Sequence, residues 1–407
     1  MTYSARRFAS IQEIPATEWN SVHDPYGDAF LDLRFLEIVQ ATLGSQIRFT
    51  PVIIADQCQR PAAIFCLSTC RLDATTLGGT WVRRPTRAVR SLWPSFLQLT
   101  CVLSGLPITI PHRKICLRPD ADPAEIARLW DETAATFARQ HHATAVLLGD
   151  FSAQEAEIFD RLTASGYYRS PSAPMHYLPL RHRNIPEYLT AMRAEYRRQV
   201  HRDLVKSDTQ RVQIETIDTA AGVKDPVRPE FYDLYLRLLE RVDSHLITLP
   251  REFFNQLICL FGENAHLLLA RVDGRPAGVA VGLITGSTYT FVLLAVDAEL
   301  NRQYGIYPRL FLDRIGFAMS LGLEQVNLGT TADEFKLRLG SSPKPRSVYV
   351  KVPGTLRYGF AWTSHLWLRA QPELQPRRVF RSVPASSAAA EATAPLPPSA
   401  VTTDLAE

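Results

Sequence analysis

The sequence predicts an α/β protein, more closely α+β: two successive units with mixed, mostly antiparallel sheets, and a disordered tail behind them. Three observations predict it. Strand-like and helix-like periodicities alternate from about residue 8 to residue 368. The two halves of that stretch close on the same order of elements. The last 37 residues, from Gln371, hold six prolines and the run ASSAAAEATAPLPPSA, a composition that buries little apolar surface.

Composition bounds the reading. The 407 residues are 46% hydrophobic and 21% charged, the balance of a soluble globular protein with room for two cores. No apolar run approaches the ~20 residues that span a bilayer. The N-terminus has Arg6 and Arg7 but no apolar segment after them, so no signal peptide and a cytoplasmic location are expected. A formal charge of +4 is no global nucleic-acid signature, and local basic patches stay open. Six cysteines include no CxxC pair and read as buried thiols. Ten histidines show no HExxH, so no metal is expected. GxSxG, Walker and GxGxxG motifs are missing from the sequence, against serine hydrolases, P-loop enzymes and Rossmann oxidoreductases.

In chain order, strands are expected at 48–56, 61–69, 114–119 and 144–150, with a helix at about 122–141 before the last. A short helix near 153–164 and the strand MHYLPL (175–180) complete a unit at 1–182. The second unit, 183–370, opens with a long helix at about 185–206. There Leu189, Met192, Tyr196, Val200 and Leu204 form an apolar stripe, Arg193 and Arg197 flank it, and Arg198, Arg202 and Lys206 make an outer i, i+4 ladder. RVQIETI (211–217), helices near 228–241 and 250–261, and strands at 265–272, 277–285 and 289–296 follow. ARVDGRPAG turns tightly at Asp273–Gly274, so these strands form an antiparallel meander. Next come a glycine turn and helix in NRQYGIYPRLFLDRIGFAMSLGL (301–323), the strand QVNLGT (325–330), a short helix and SVYVKV (347–352). The aromatic segment 354–370 reads as a helix packed on the sheet. The tail is 371–407.

The stretch 301–323 carries the chemistry. A helix start presents unpaired N–H groups and the positive end of its dipole. Gly305 lets the backbone approach a ligand closely, and Arg302 and Gln303 add donors. Antiparallel strands, glycine turn, helix and strand are the order of GNAT acyltransferases. Arg302-Gln303-Tyr304-Gly305-Ile306-Tyr307 resembles their pyrophosphate-binding motif, Arg/Gln-x-x-Gly-x-Gly/Ala, departing from it at Tyr307. The order of 192–208, 231–257, 267–284 and 321–343 resembles the FemAB-like branch, which carries two GNAT-like units in tandem; the first half resembles it through residues 18–40.

That resemblance implies an N-acyltransferase, with acyl-CoA as co-substrate, no permanently bound cofactor, and a small-molecule or cell-envelope-precursor amine as acceptor. Two alternatives remain open: an aminoacyl-tRNA donor, and a non-catalytic binding module. It implies cofactor contacts at Arg302, Gln303, Gly305, Ile306, Leu294 and Val296. The strand end at Leu294–Val296 would offer backbone N–H groups to the acyl carbonyl. Glu334 would take the amine proton, and Tyr304 and Tyr307 would protonate the leaving group. Arg193, Arg197, Asn327 and Lys336 would hold substrate. Thr330 or Thr331 is expected to cap the short helix bearing Glu334 and Lys336.

Overall fold

The computed structural model describes residues 3–23, 29–73, 86, 89–93, 96, 98–108, 113–207, 210–217, 225–241, 246–352 and 374–381. The expected helix at 354–370 and most of the arginine-rich 79–90 lie outside them.

The strands β1 (Ser4–Arg7), β2 (Phe49–Ala55), β3 (Pro61–Asp73), β4 (Gln98–Ser104), β5 (Ile115–Leu117), β6 (Ala145–Phe151) and β7 (Tyr168–Pro179) belong to the first half. The second half supplies β8 (Val212–Ile217), β9 (Ala265–Val272), β10 (Arg275–Thr285), β11 (Thr288–Val296), β12 (Gln325–Asn327) and β13 (Ser342–Lys351). All join one sheet in the order β1-β2-β3-β4-β6-β13-β7-β12-β11-β10-β9-β8, with β5 paired to β3. The expected meander is present: β8 to β11 run antiparallel, and the β9–β10 turn places Asp273 and Gly274 at φ +49° and +78°.

The halves repeat one another. In each, an antiparallel set ends in a strand that pairs in parallel with the next over three positions: Cys101–Leu103 with Ala145–Leu147, and Thr288–Thr290 with Gln325–Asn327. In each, the final strand crosses over. β13 lies between β6 and β7, and β7 lies between β13 and β12, all antiparallel. The turn at 180–184, where the sequence divides the units, therefore separates two halves that have exchanged their last strands.

The helices are α1 (Ala16–Asn20), α2 (Leu33–Leu43), α3 (Pro123–Gln140), α4 (Ala153–Phe159), α5 (Ile185–Ala191), α6 (Ala194–Ser207), α7 (Pro229–Arg241), α8 (Arg251–Phe261), α9 (Ala298–Tyr304), α10 (Ile306–Ser320) and α11 (Asp333–Arg338). One apolar cluster joins α2 of the first half to α7 and α8 of the second, with Phe35 and Phe253 edge-on at 6.1 Å. On the opposite face, α5, α6 and α10 pack on Leu178, Tyr289 and Val326.

Three expectations need correction. The helix expected over 185–206 breaks at Met192, which is extended (φ −66°, ψ 149°) and forms an antiparallel bridge with Phe380. The tail does not start at Gln371 as featureless chain. Over 374–381, Val379 is buried and Phe380 packs on His182 and Tyr188, because VF supplies an apolar anchor inside a proline-rich composition. Gly305 is not the turn that follows β11. Asp297 ends that strand and caps α9, accepting from Glu299 and Leu300 N–H groups, and Gly305 then links two helices.

Candidate active site

Alternation along the central strands builds the site. Residues in register share a face: Thr290, Asn327, Tyr177 and Ser342 stand in one row across β11, β12, β7 and β13. Between them, Tyr289, Val326 and Leu178 point into the core under α10. Thr290, Asn327 and Tyr177 of this row floor a cavity of about 710 Å³ between the two halves. Thr288, Gln325, Lys344 and Arg346 extend the floor, and β5 and Ser152–Glu155 at the start of α4 bound the other side. The volume is that of a small-molecule site.

Charge in the cavity is fixed. Arg346 reaches Asp150, with Nε 3.2 Å from Oδ1, and Asp150 itself takes the left-handed region at φ +60°. The Glu155 carboxylate accepts from the Ser152 N–H at 2.8 Å and the Lys114 N–H at 3.1 Å. Lys344 is exposed to the cavity and has no ion-pair partner among the described residues. Burial pushes the Tyr177 phenol above its usual range, so it stays protonated.

A second cluster lies on the other face. His176 alternates with Tyr177 and is fully buried. Its Nδ1 lies 2.9 Å from Ser341 Oγ and its Nε2 2.9 Å from Asp333 Oδ1. Burial holds its pKa down, so the ring is neutral at pH 7. A carboxylate accepts, so Nε2 carries the proton and Nδ1 accepts from the serine hydroxyl. Lys336 is 1% exposed, and desolvation lowers its pKa to about 8. Its Nζ lies in ordinary contact range of Gly329, where a Cβ would stand 3.7 Å from it. The Gly329 N–H in turn donates to Asn327 Oδ1 at 3.0 Å.

These two clusters meet where the sheet opens. β11 and β12 pair at three positions and part after Thr290 and Asn327. Beyond that point the edge of β11 has no strand partner among the described residues. Lys336 stands at the split from the helix face and Asn327 from the cavity face. The loop between β12 and α11 holds this through left-handed backbone at Gly329 (φ +77°) and Ala332 (φ +58°). Ala332, with no side-chain cap bond, starts α11; the expected threonine cap is not made, because the chain turns left-handed before the helix begins.

The sequence-derived candidates separate into groups. Asn327 lines the cavity and Lys336 sits beside the split. Glu334 is exposed and pairs with Arg377 at 2.6 Å. Tyr307 packs with Phe311 and Phe335 at 4.8 and 5.3 Å, and burial raises its pKa. Tyr304 and Ile306 are buried in the cluster under α9 and α10. Leu294 and Val296 register with Ala280 and Gly278, and the Val296 carbonyl accepts from Arg241 at 2.6 Å. Arg302 and Gln303 are exposed on α9. Arg193 is exposed on the helix face; the Arg197 guanidinium donates to the Thr190 carbonyl at 3.4 Å.

At the helix start expected to cradle phosphates, the protein itself takes up one donor and the space beside Gly305. The Tyr307 N–H donates to Asn301 Oδ1 at 2.8 Å, and Pro308 has no N–H to offer. A Cβ on Gly305 would stand 2.8 Å from the Asp203 carbonyl of α6, so this glycine admits a neighbouring helix. Sequence reasoning missed Tyr177, His176, Asp333, Lys344 and Arg346. The alternation in MHYLPL was the available signal for the first two.

Residues 191–337 match the family model of the acetyltransferase (GNAT) domain. A tandem GNAT protein from the clavulanic acid biosynthesis pathway matches at 13% identity and TM-score 0.53, covering 87% of this chain and 99% of that one. FemX matches at 12% identity and TM-score 0.51, with 87% and 99% covered. L-PGS from Bacillus licheniformis matches at 11% identity and TM-score 0.46, with 82% and 96% covered. No curated protein matches. The family match covers residues 191–337; over the whole chain the likeness to the tandem GNAT protein and to FemX is one of fold. Among the described residues, no helix is long and apolar enough to cross a membrane.

Proposed function

We propose that the protein is an N-acyltransferase whose two substrates meet at the split between β11 and β12. The acyl ester donor enters from the helix face beside Lys336, and the amine acceptor from the cavity. The observation that carries this reading is Lys336, a buried cation next to Gly329 at the point where the strands part. When the amine attacks the acyl carbonyl, negative charge develops on its oxygen, and a desolvated ammonium stabilises that charge far better than water does. As the ester C–O bond breaks, Lys336 gives its proton to the leaving oxygen and recovers one from the new ammonium. A pKa of about 8 suits a group that must be charged at the start and release its proton during the reaction. His176 and Ser341 fix Asp333, three residues from Lys336 on α11.

Lys344 and Arg346 fit an acceptor bearing a phosphate or carboxylate. The donor that fits best is an aminoacyl-tRNA ester, because the Gly305 and Tyr307 N–H groups go to Asn301 and the space beside Gly305 goes to α6. FemX is a fold neighbour consistent with that choice. Acyl-CoA is the second reading, and the match to an acetyltransferase domain over 191–337 favours it.

The test uses a tRNA pool charged with labelled amino acids and a panel of phosphate- and carboxylate-bearing amines. Label should pass to an amine, and Lys336→Met should slow transfer at least ~100-fold, the scale of losing one oxyanion-stabilising group. Transfer unchanged by Lys336→Met would contradict the reading. Thiol release from acetyl-CoA with the same amines would put the second reading first.

A further inference from the structure

The helix face outside the core carries a concentration of positive charge that the reaction chemistry does not use. On α6 and its leading residue, Arg193, Arg197, Arg198, Arg202 and Lys206 stand against two acids, Glu195 and Asp203. The strap 374–381 adds Arg377, Arg378 and Arg381 and no acid. Together the two segments hold a surplus of six positive charges, whereas the whole chain carries +4; every other residue together sums to −2.

The structure joins these segments. The Arg193 N–H donates to the Val379 carbonyl at 2.9 Å and the Arg381 N–H to the Ala191 carbonyl at 3.0 Å. Phe380 locks the strap in place, filling space that only a glycine at 340 leaves: a Cβ there would meet the Phe380 ring at 2.5 Å.

 The strap and the helix, far apart in the chain, are neighbours in space.

Arg193, Arg198, Arg202 and Lys206 are exposed. Among the described residues, no cation of α6 has a carboxylate within 4.0 Å; on the strap, only Arg377 is paired, with Glu334. Arg198, Arg202 and Lys206 follow one another at steps of about 6 Å along the helix. A row of unpaired cations is held apart at a cost in mutual repulsion and is relieved by a polyanion. Guanidinium forks match phosphate oxygens two at a time. A membrane surface fits less well, since a helix lying on lipid needs a free apolar face, and on α6 Val200 is buried and Val205 is a single exposed aliphatic residue.

We infer that α6 and the strap 374–381 form a single binding face for the phosphate backbone of RNA. It lies on the side of the sheet from which the donor reaches Lys336, and it rests on the aminoacyl-tRNA reading only for which RNA is taken.

The experiment measures binding of the full chain to uncharged tRNA by fluorescence anisotropy across a salt series. Six phosphate contacts predict a slope of log K on log salt near −4 to −5. Replacing Arg198, Arg202 and Lys206 by Glu should weaken binding at least tenfold and flatten the slope. Replacing Arg377, Arg378 and Arg381 by Ser should do so to a lesser degree. Arg128→Gln with Arg139→Gln on α3 should leave it unchanged. Circular dichroism confirms that each variant folds, and crosslinks from bound RNA should map to 193–206. Binding that ignores these replacements, crosslinks elsewhere, or affinity for phosphatidylglycerol vesicles in place of RNA would overturn the inference. RNA binding through this face without aminoacyl transfer would sink the function reading and leave the inference standing. Transfer with binding elsewhere would do the reverse.

Discussion

At the scale of single residues, Lys336 makes the sharpest demand on the fold. Its pKa falls from the ordinary lysine value of 10.5 to about 8 because burial disfavours the charged form. Between those two values the unfolded chain binds the proton and the folded chain does not, so stability rises with pH across that window. Below about pH 8 the full cost of burying the charge is present, ~3 kcal/mol at ~1.4 kcal/mol per unit. Lys336→Met should therefore abolish the rise between pH 8 and 10.5 and stabilise the protein at pH 7, seen as an increased urea midpoint, while it removes activity. A second residue-scale prediction concerns Gly305. Alanine there meets both φ +61° and the Asp203 carbonyl, and should cost ~1–3 kcal/mol in chemical denaturation. Gly305 was legible in the sequence as a special position. Its purpose was not, because a glycine that admits a ligand and one that admits a helix look alike in one dimension.

At the scale of elements, periodicity located the long strands and helices, and turn chemistry located the hairpin at Asp273–Gly274. What it could not locate were breaks decided by distant partners. The apolar stripe through Met192 continues a helical pattern, and the helix ends there because the strap from 374–381 pairs with that residue. The strap itself was hidden by composition, since two apolar residues in a proline- and arginine-rich run weigh little until they find a pocket. Phe380→Ala should loosen this contact, lowering the melting temperature by a few degrees, as expected for ~1–2 kcal/mol in a chain of this size. Replacement of Gly340 by Ala should act on the same contact from the other side. The two changes together should cost less than their sum, because either one alone displaces the ring.

At the scale of the whole molecule, the repeated closing order of elements was legible in both halves, and the exchange of the final strands was not. Nothing in MHYLPL or SVYVKV says which half's sheet each will enter; that choice depends on register partners more than 150 residues away. The exchange makes each half incomplete alone. Residues 1–182 and 183–381 produced separately should each be insoluble or lack a cooperative unfolding transition, and co-production should restore one. The exchange also creates the cavity, since its polar row spans strands from both halves. Lys344→Ala and Arg346→Ala should accordingly raise KM for an anionic acceptor about tenfold or more, the scale of losing a charge-assisted contact, with little change in kcat.

The most direct test of the account is the choice of donor at the split between β11 and β12. Single-turnover transfer from charged tRNA and from acetyl-CoA, each with wild type and with Lys336→Met, measures it in one experiment. The account predicts transfer from the aminoacyl ester that falls at least ~100-fold in the variant, and none from acetyl-CoA. Turnover of acetyl-CoA that is indifferent to Lys336 would contradict it.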